Sequence, residues 1–579
     1  MATRSSTAVD VPASAEVAAA RPPRHVLWTV LASLAVAAAF VATVVRVLTG
    51  VDDAFRFSGD QSLTGLSVHE ASTFERELGP YSRYGWSHPG PLWFYLLAPA
   101  TRLLGGDDPA LMAASVLLNG LLAVAVVLAV HRAGRPLLTL AAAAAVLAFV
   151  LRMPAEMFVD VWSPYALLMG TLLFLVLAAR VHSGSWPALL AMLVSGSFLA
   201  QTHVGTAPLV ALVGLTGGVS FVLARRALRP TAEAGADAGD PRPRRTGWAV
   251  ALGALLVVVW FPPLLEQLSS PLREGNLVRL ADFFLGHEEP GGRPTPPQAL
   301  IAVGRLLAMT PYDWGPGAWE MDVSTLPAPV AVALVAQGLA AVALVVLGRR
   351  WGSAAGTWWG AVLCAALLAA VVSAATVTGV LYWYLLIWVA VLPVATAIGA
   401  LHLASDRLAA DRPAPDRDRT GDRDGSGRRL VLDRAPVLLP VAAVAVVLSV
   451  LTAVSLGDAA EELPTSYGVT EASVLVDDGL ATVDGRSVHV DIATPAVWPA
   501  VAGVVDQLVD QGYEVTVDRG SEELFGADRV GPGDEPVALL FAATGSPEHE
   551  RALRQDGVTD LGSAPTEWGP TSVLLRVAG

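Results

Sequence analysis

Residues 59–99 read GDQSLTGLSVHEASTFERELGPYSRYGWSHPGPLWFYLLAP. The stretch follows the first long apolar segment. A loop between membrane helices is usually short and polar. This one carries an early acid, Asp60, then a run of aromatics, then a His88-Pro89-Gly90-Pro91 turn that enters a second apolar stretch. A chain that invests so much chemistry in its first loop is expected to build a site there.

Working outward, the chain has 579 residues, 54% of them hydrophobic and 16% charged, with mean hydropathy +0.54. Those values place it among polytopic membrane proteins. Every basic residue other than histidine is arginine. The single Cys364 lies in an apolar segment, which rules out an intramolecular disulfide or a cysteine-based metal centre. The net charge of −14 is uneven, because residues 457–579 hold 22 acids and 6 arginines. An acidic tail argues against nucleic-acid binding and fits a solvated exterior surface.

A bilayer core takes about 20 apolar residues per helix. On that criterion eleven spans are predicted, near 26–48, 110–130, 136–151, 163–179, 186–202, 206–224, 248–267, 326–348, 354–375, 380–402 and 435–456. Residues 91–105 are apolar but too short to span, and read as an interfacial helix. With the N-terminus inside, the inner segments hold 22 arginines in 96 residues and the outer ones 9 in about 140. That asymmetry predicts an inside N-terminus and an outside C-terminus, with the first span an uncleaved anchor. The organisation expected is a cytoplasmic tail over 1–25, a membrane domain over 26–456 with outer loops 49–109 and 268–325, and an outer domain over 457–579. The inner stretches 229–246 and 404–434 read as disordered connectors. In the tail, 487–494, 513–518, 536–544 and 571–578 read as strands, and 496–512 and 546–557 as helices, a small α/β domain.

The orientation sorts the polar residues by side. Asp60, Glu70, Arg83, Trp86, His88, Asp160, Gln201 and His203 fall on the outer side, with Tyr81, Tyr84, Trp162, Tyr312, Asp313 and Trp314. Carboxylates and imidazoles near a bilayer are costly without partners or purpose. Asp60 can serve as general base toward an acceptor hydroxyl, help hold a metal-bound phosphate, or simply cap a helix. His88 can bind phosphate or structure its turn. Tyr382, Trp383 and Tyr384 read as an interfacial aromatic belt.

The Gly59-Asp60 and His88-Pro89-Gly90-Pro91-Leu92 pattern resembles the GT-C superfamily of membrane glycosyltransferases, above all its protein O-mannosyltransferase and aminoarabinose-transferase branch. Residues 78–99, with Asp160-Val-Trp-Ser-Pro-Tyr165 and Gln201-Thr-His203, also resemble segments of actinobacterial polytopic proteins of this type. The resemblance covers roughly 26–456. It implies an external active site, a polyprenyl-phosphate-linked sugar donor, a cell-envelope glycan, lipid or protein acceptor, and Asp60 as catalytic base. Glu70, Arg83, Trp86, His88, Asp160 and His203 are then the expected substrate-binding residues, with Arg83, His88 and His203 toward the phosphate. Two departures stand out. Gln61 replaces a second acid, so that the second carboxylate is either missing or supplied by Glu70 or Asp160, and Gly90 replaces a proline. A divalent cation is left open. The competing expectations are a transporter or flippase of a lipid-linked precursor, and a non-catalytic scaffold. Spans nearly free of mid-depth charge favour surface chemistry over translocation.

Overall fold

The computed structural model describes residues 24–228, 242–271, 273–286, 292–309, 319–410, 435–483, 485–566 and 568–577. Tyr312, Asp313 and Trp314 lie outside them, as do most of the N-terminal tail and of the two expected connectors. The portions of those connectors that are described are helical.

Among the described residues, fifteen α-helices make up the membrane part and the lip at one of its ends. They are α1 (Arg24–Gly50), α2 (Gly59–Thr73), α3 (Leu92–Leu104), α4 (Asp108–Val130), α5 (Pro136–Arg152), α6 (Ser163–Arg180), α7 (Trp186–Thr202), α8 (Ala207–Ala227), α9 (Arg242–Ser269), α10 (Asn276–Gly286), α11 (Pro296–Ala308), α12 (Ala328–Arg350), α13 (Ala354–Thr376), α14 (Leu392–Ala410) and α15 (Ala435–Tyr467). Each of the eleven expected spans is helical over most of its length; that expected at 380–402 starts as a 3-10 segment, Trp383–Val391, which runs into α14. Nine helices among the described residues are long and apolar enough to cross a membrane. The other two, α5 and α7, have 17 residues, about 25 Å of helix, which falls short of a bilayer core of about 30 Å. The short apolar stretch after the turn is α3, as expected, with Trp93, Phe94 and Leu97 buried and Leu96 and Leu103 exposed.

Burial separates the interior helices from the peripheral ones. α6 is buried almost all round, as expected for a helix that is apolar on every face. α12 leaves Val332, Val335, Leu339, Val342 and Val346 exposed, a stripe at alternating steps of three and four that suits contact with lipid tails. At one end of the bundle, Arg46 of α1 reaches Asp458 at 3.1 Å and Glu461 at 2.6 Å. Those acids belong to α15 because that helix runs to Tyr467, past its expected end near 456.

The tail adds α16 (Thr470–Leu480), α17 (Trp498–Asp510) and a five-stranded sheet. A small antiparallel hairpin, β1 (Tyr81–Ser82) and β2 (Trp86–Ser87), precedes them between α2 and α3. The sheet strands are β3 (Ser487–Ile492), β4 (Glu514–Val517), β5 (Val537–Ala543), β6 (Val558–Ala564) and β7 (Thr571–Val577), in the order β4-β3-β5-β7-β6. The β3–β4 and β3–β5 pairs are parallel and the β5–β7 and β6–β7 pairs antiparallel. The expected strands and helices are all present, although the second helix is only Pro547–Ala552, capped by Ser546. α16 and β6 were not expected.

The principal surprise is α2. A segment read as loop is helical for fifteen residues. Its composition hides it, since serine, threonine and glycine carry no 3.6-residue apolar stripe. Its burial explains it: Leu63 and Leu66 join the apolar core of the tail domain, beside Val501, Val504 and Val505 of α17. The tail domain is therefore built partly on a helix from the membrane half.

Candidate active site

α2 begins at Gly59, whose φ of +57° lies in the left-handed region that favours glycine. The next residue, Asp60, sits in the first turn, where a carboxylate complements the helix dipole. Tyr81 Oη donates to its Oδ1 at 2.9 Å, and Trp162 Nε1 donates to its Oδ2 at 2.9 Å. Burial pushes the Asp60 carboxyl above the usual carboxylate range, and those two donors draw it partly back.

Asp60 lines a pocket of about 250 Å³, together with Arg83, Trp86, His88, Trp162 and His203. Five of the seven residues singled out from sequence therefore share one cavity. Asp60 is the only acidic side chain lining it among the described residues.

The two histidines come from different segments and meet ring to ring, with centroids 4.4 Å apart. Val204 N–H donates to His88 Nδ1 and Gly205 N–H donates to His203 Nδ1, each at 3.1 Å. A nitrogen that accepts a backbone proton carries none of its own, so each neutral ring keeps its proton on Nε2. Burial, then the neighbouring His203, holds His88 well below the usual imidazole range. Burial alone brings His203 to about 4. The pair is thus two neutral N–H donors at neutral pH.

Arg83 Nη2 donates to Tyr84 Oη at 3.0 Å, and the guanidinium lies over the Tyr84 and Tyr382 rings at 5.1 and 5.4 Å. No carboxylate among the described residues pairs with it. Trp86 packs on His88 and Phe283, and its Nε1 is buried with no partner. Tyr384 stacks beside Tyr382 and packs on Trp162 at 4.9 Å. The expected aromatic belt at 382–384 is corrected accordingly: Tyr382 and Tyr384 line the pocket, and Trp383 is buried behind it.

Asp160 and Glu70 do not line the pocket. Asp160 is 1% exposed, accepting from Gln61 Nε2 at 3.0 Å and from Trp162 N–H at 2.9 Å. Burial raises its carboxyl to about 7. It fixes the backbone of the tryptophan that bonds Asp60, and Gln61 is the donor that holds it. Glu70 accepts from Arg76 at 3.1 Å and from Arg529 at 2.6 Å, tying α2 to the tail domain. Both carboxylates are engaged away from the pocket that Asp60 lines.

Gly90, the second departure, has a steric reason. A Cβ there would fall 2.4 Å from Gln201 Oε1, and Gly90 N–H donates to the Gln201 carbonyl at 3.3 Å. Sequence reasoning missed Phe283 and Phe284 of α10, and Leu524 and Phe525 of the tail, all of which line the pocket. No local pattern could have joined the tail residues to it. Among the described residues, no three His, Cys, Asp or Glu side chains gather as metal ligands.

Fold and site together define a polytopic membrane protein with a GT-C-like fold, whose pocket, a few polar groups set among aromatic and aliphatic side chains, lies at one end of the helical bundle. Among solved structures, the chain is similar to ArnT from Cupriavidus metallidurans in the apo state. The TM-score is 0.50 at 15% identity, over 96% of this chain and 100% of that one. The same protein bound to undecaprenyl phosphate gives a TM-score of 0.48 at 15% identity, over 93% and 98%. By sequence, the chain matches no protein-family model and no curated protein.

Proposed function

We propose that this protein is a membrane glycosyltransferase that moves a sugar from a polyprenyl-phosphate donor to a cell-envelope acceptor on the outer face. The observation that carries the reading is the pocket's division of labour. One carboxylate, Asp60, sits with a guanidinium that has no acid partner among the described residues and two imidazoles locked as N–H donors. The GT-C-like fold supports the class.

In this mechanism Asp60 takes the proton of the acceptor hydroxyl as its oxygen attacks the anomeric carbon. The bond from that carbon to the phosphate oxygen breaks, and the polyprenyl phosphate leaves with the electron pair. Arg83 and the Nε2–H groups of His88 and His203 meet the charge that grows on the leaving phosphate. A carboxylate lifted above its usual range is the stronger base. Gln61, Asp160 and Trp162 hold Asp60 in place, while Leu524 and Phe525 lend the pocket an apolar edge from the tail. The lack of mid-depth charge that favoured chemistry over translocation agrees with this reading.

Asp60→Asn is the test, read as sugar transfer by the full-length protein in membranes. It keeps size, its amide oxygen can accept from Trp162 and its amide N–H can donate to the Tyr81 hydroxyl oxygen, but it has no basicity. Transfer should fall by roughly 10²- to 10⁴-fold, with insertion and melting temperature unchanged. Undiminished transfer would sink the assignment.

A further inference from the structure

A second cavity, of about 560 Å³, lies at the opposite end of the bundle. α6 joins the two: Ser163 and Pro164 line the outer pocket, and Arg180 lines this one. Eighteen helical residues put them about 27 Å apart. The cavity is lined by Arg132, Arg135 and Arg180, with His131, His182 and His402, and by no acidic residue.

The charge does not balance. Asp406 stands behind the wall and serves two of the arginines through one oxygen, Arg132 at 2.9 Å and Arg135 as well. Its other oxygen accepts from Ser353 Oγ. Arg180 has no acid partner among the described residues; it donates to the carbonyls of Ala129 at 2.6 Å and His131 at 3.1 Å. Among the described residues, three guanidiniums against one carboxylate leave an excess of two positive charges beside a concave surface. His402 supplies a second, independent observation. Its side chain lines the cavity, is 7% exposed, and holds its Nδ1 buried with no partner. Buried polar atoms are rarely left so without a ligand or water to meet them.

Arginine enrichment in the loops on this side follows from membrane insertion. That rule does not gather them around a cavity, nor leave an imidazole nitrogen unsatisfied in its wall. We infer that this cavity binds a phosphate group, brought either by an anionic phospholipid headgroup or as free phosphate. Arginine forks match phosphate oxygens in pairs, and basic pockets between membrane helices suit lipid headgroups. The site is separate from the outer pocket and does not depend on the transferase reading.

The full-length protein in a neutral detergent, probed with phosphatidylglycerol, phosphatidylcholine and inorganic phosphate, tests this by native mass spectrometry and melting temperature. Phosphatidylglycerol should be retained over phosphatidylcholine, and Arg180→Gln and His402→Gln should each weaken retention roughly fivefold. Arg83→Gln, in the outer pocket, should not. Stabilisation by millimolar inorganic phosphate as well would assign the site to the phosphate group itself; a response to phosphatidylglycerol alone would assign it to the lipid headgroup. Equal retention of both lipids with no phosphate response overturns the inference. So does a loss of preference caused only by Arg83→Gln, or a loss confined to Arg180→Gln and matched by a lower ligand-free melting temperature.

Discussion

Asp60 illustrates how a single side chain is tuned by its contacts. Desolvation lifts its acidity range, and the Tyr81 hydroxyl is the larger of the two hydrogen bonds that counter the lift. Tyr81→Phe removes that counterweight, so the Asp60 carboxyl should move further up. The base is active when ionised, so the acidic limb of kcat/KM should shift to higher pH in the variant. An unchanged limb would show that another group titrates. The histidines give a complementary expectation. With His203 near 4 and His88 also depressed, neither should ionise between pH 5.5 and 8, and a wild-type profile should lack an imidazole step near the ordinary value of about 6.5. The sequence named these residues. It did not reveal that each imidazole has surrendered Nδ1 to a backbone amide.

At the scale of elements, the His-Pro-Gly-Pro turn is a backbone crossing. Gly79 N–H donates to the His88 carbonyl and His88 N–H to the Pro80 carbonyl, bracing β1 against β2. A Cβ on Gly79 would lie 2.7 to 3.0 Å from the carbonyl oxygens of Gly90, His88 and Gln201. Backbone cannot step aside as a side chain can. Gly79→Ala should therefore cost about 1–3 kcal/mol of stability, seen as a lower melting temperature, and should displace His88 enough to reduce activity. The prolines and glycines of this turn were legible as punctuation. α2 was not, because its burial is decided by what packs on it from elsewhere. The same holds for Tyr382 and Tyr384, which a belt and a pocket would use in the same sequence position.

Across the whole molecule, the tail domain is welded to the lip of the membrane domain. Arg529 reaches Glu70, and α17 lies so close to α2 that a Cβ at Gly65 would fall 2.4 Å from Asp506 Oδ2. Asp506 is buried there, with one oxygen unpartnered and Asp510, Asp108, Arg56 and Arg529 around it. Burial, then the neighbouring acids Asp510 and Asp108, pushes its carboxyl well above the usual range. A carboxyl raised in the folded state favours folding most below its unfolded value of about 4, and that advantage erodes as pH rises toward the folded value. The α2–α17 interface should therefore loosen with rising pH. Asp506→Asn should flatten the dependence of melting temperature on pH between 5 and 8, and protect α2 from hydrogen exchange at the upper end. An unaltered slope would place the titration elsewhere.

Much of this architecture follows from local physics. Apolar runs of bilayer length must form helices, since unpaired backbone groups are too costly in hydrocarbon. Alternating strands and helices in an acidic tail make a small α/β domain, and the first outer segment advertises Asp60 and His88 by composition alone. The tertiary structure decided the remainder. It separated the acids, leaving Asp60 in the pocket while Asp160 bonds Gln61 and Trp162 and Glu70 pairs with Arg76 and Arg529, because hydrogen-bond partners arrive from distant segments. It brought Leu524 and Phe525 to a site that begins at residue 60, and it folded α2 between two cores. A sequence records which side chains are available, whereas their burial and pairing depend on long-range packing.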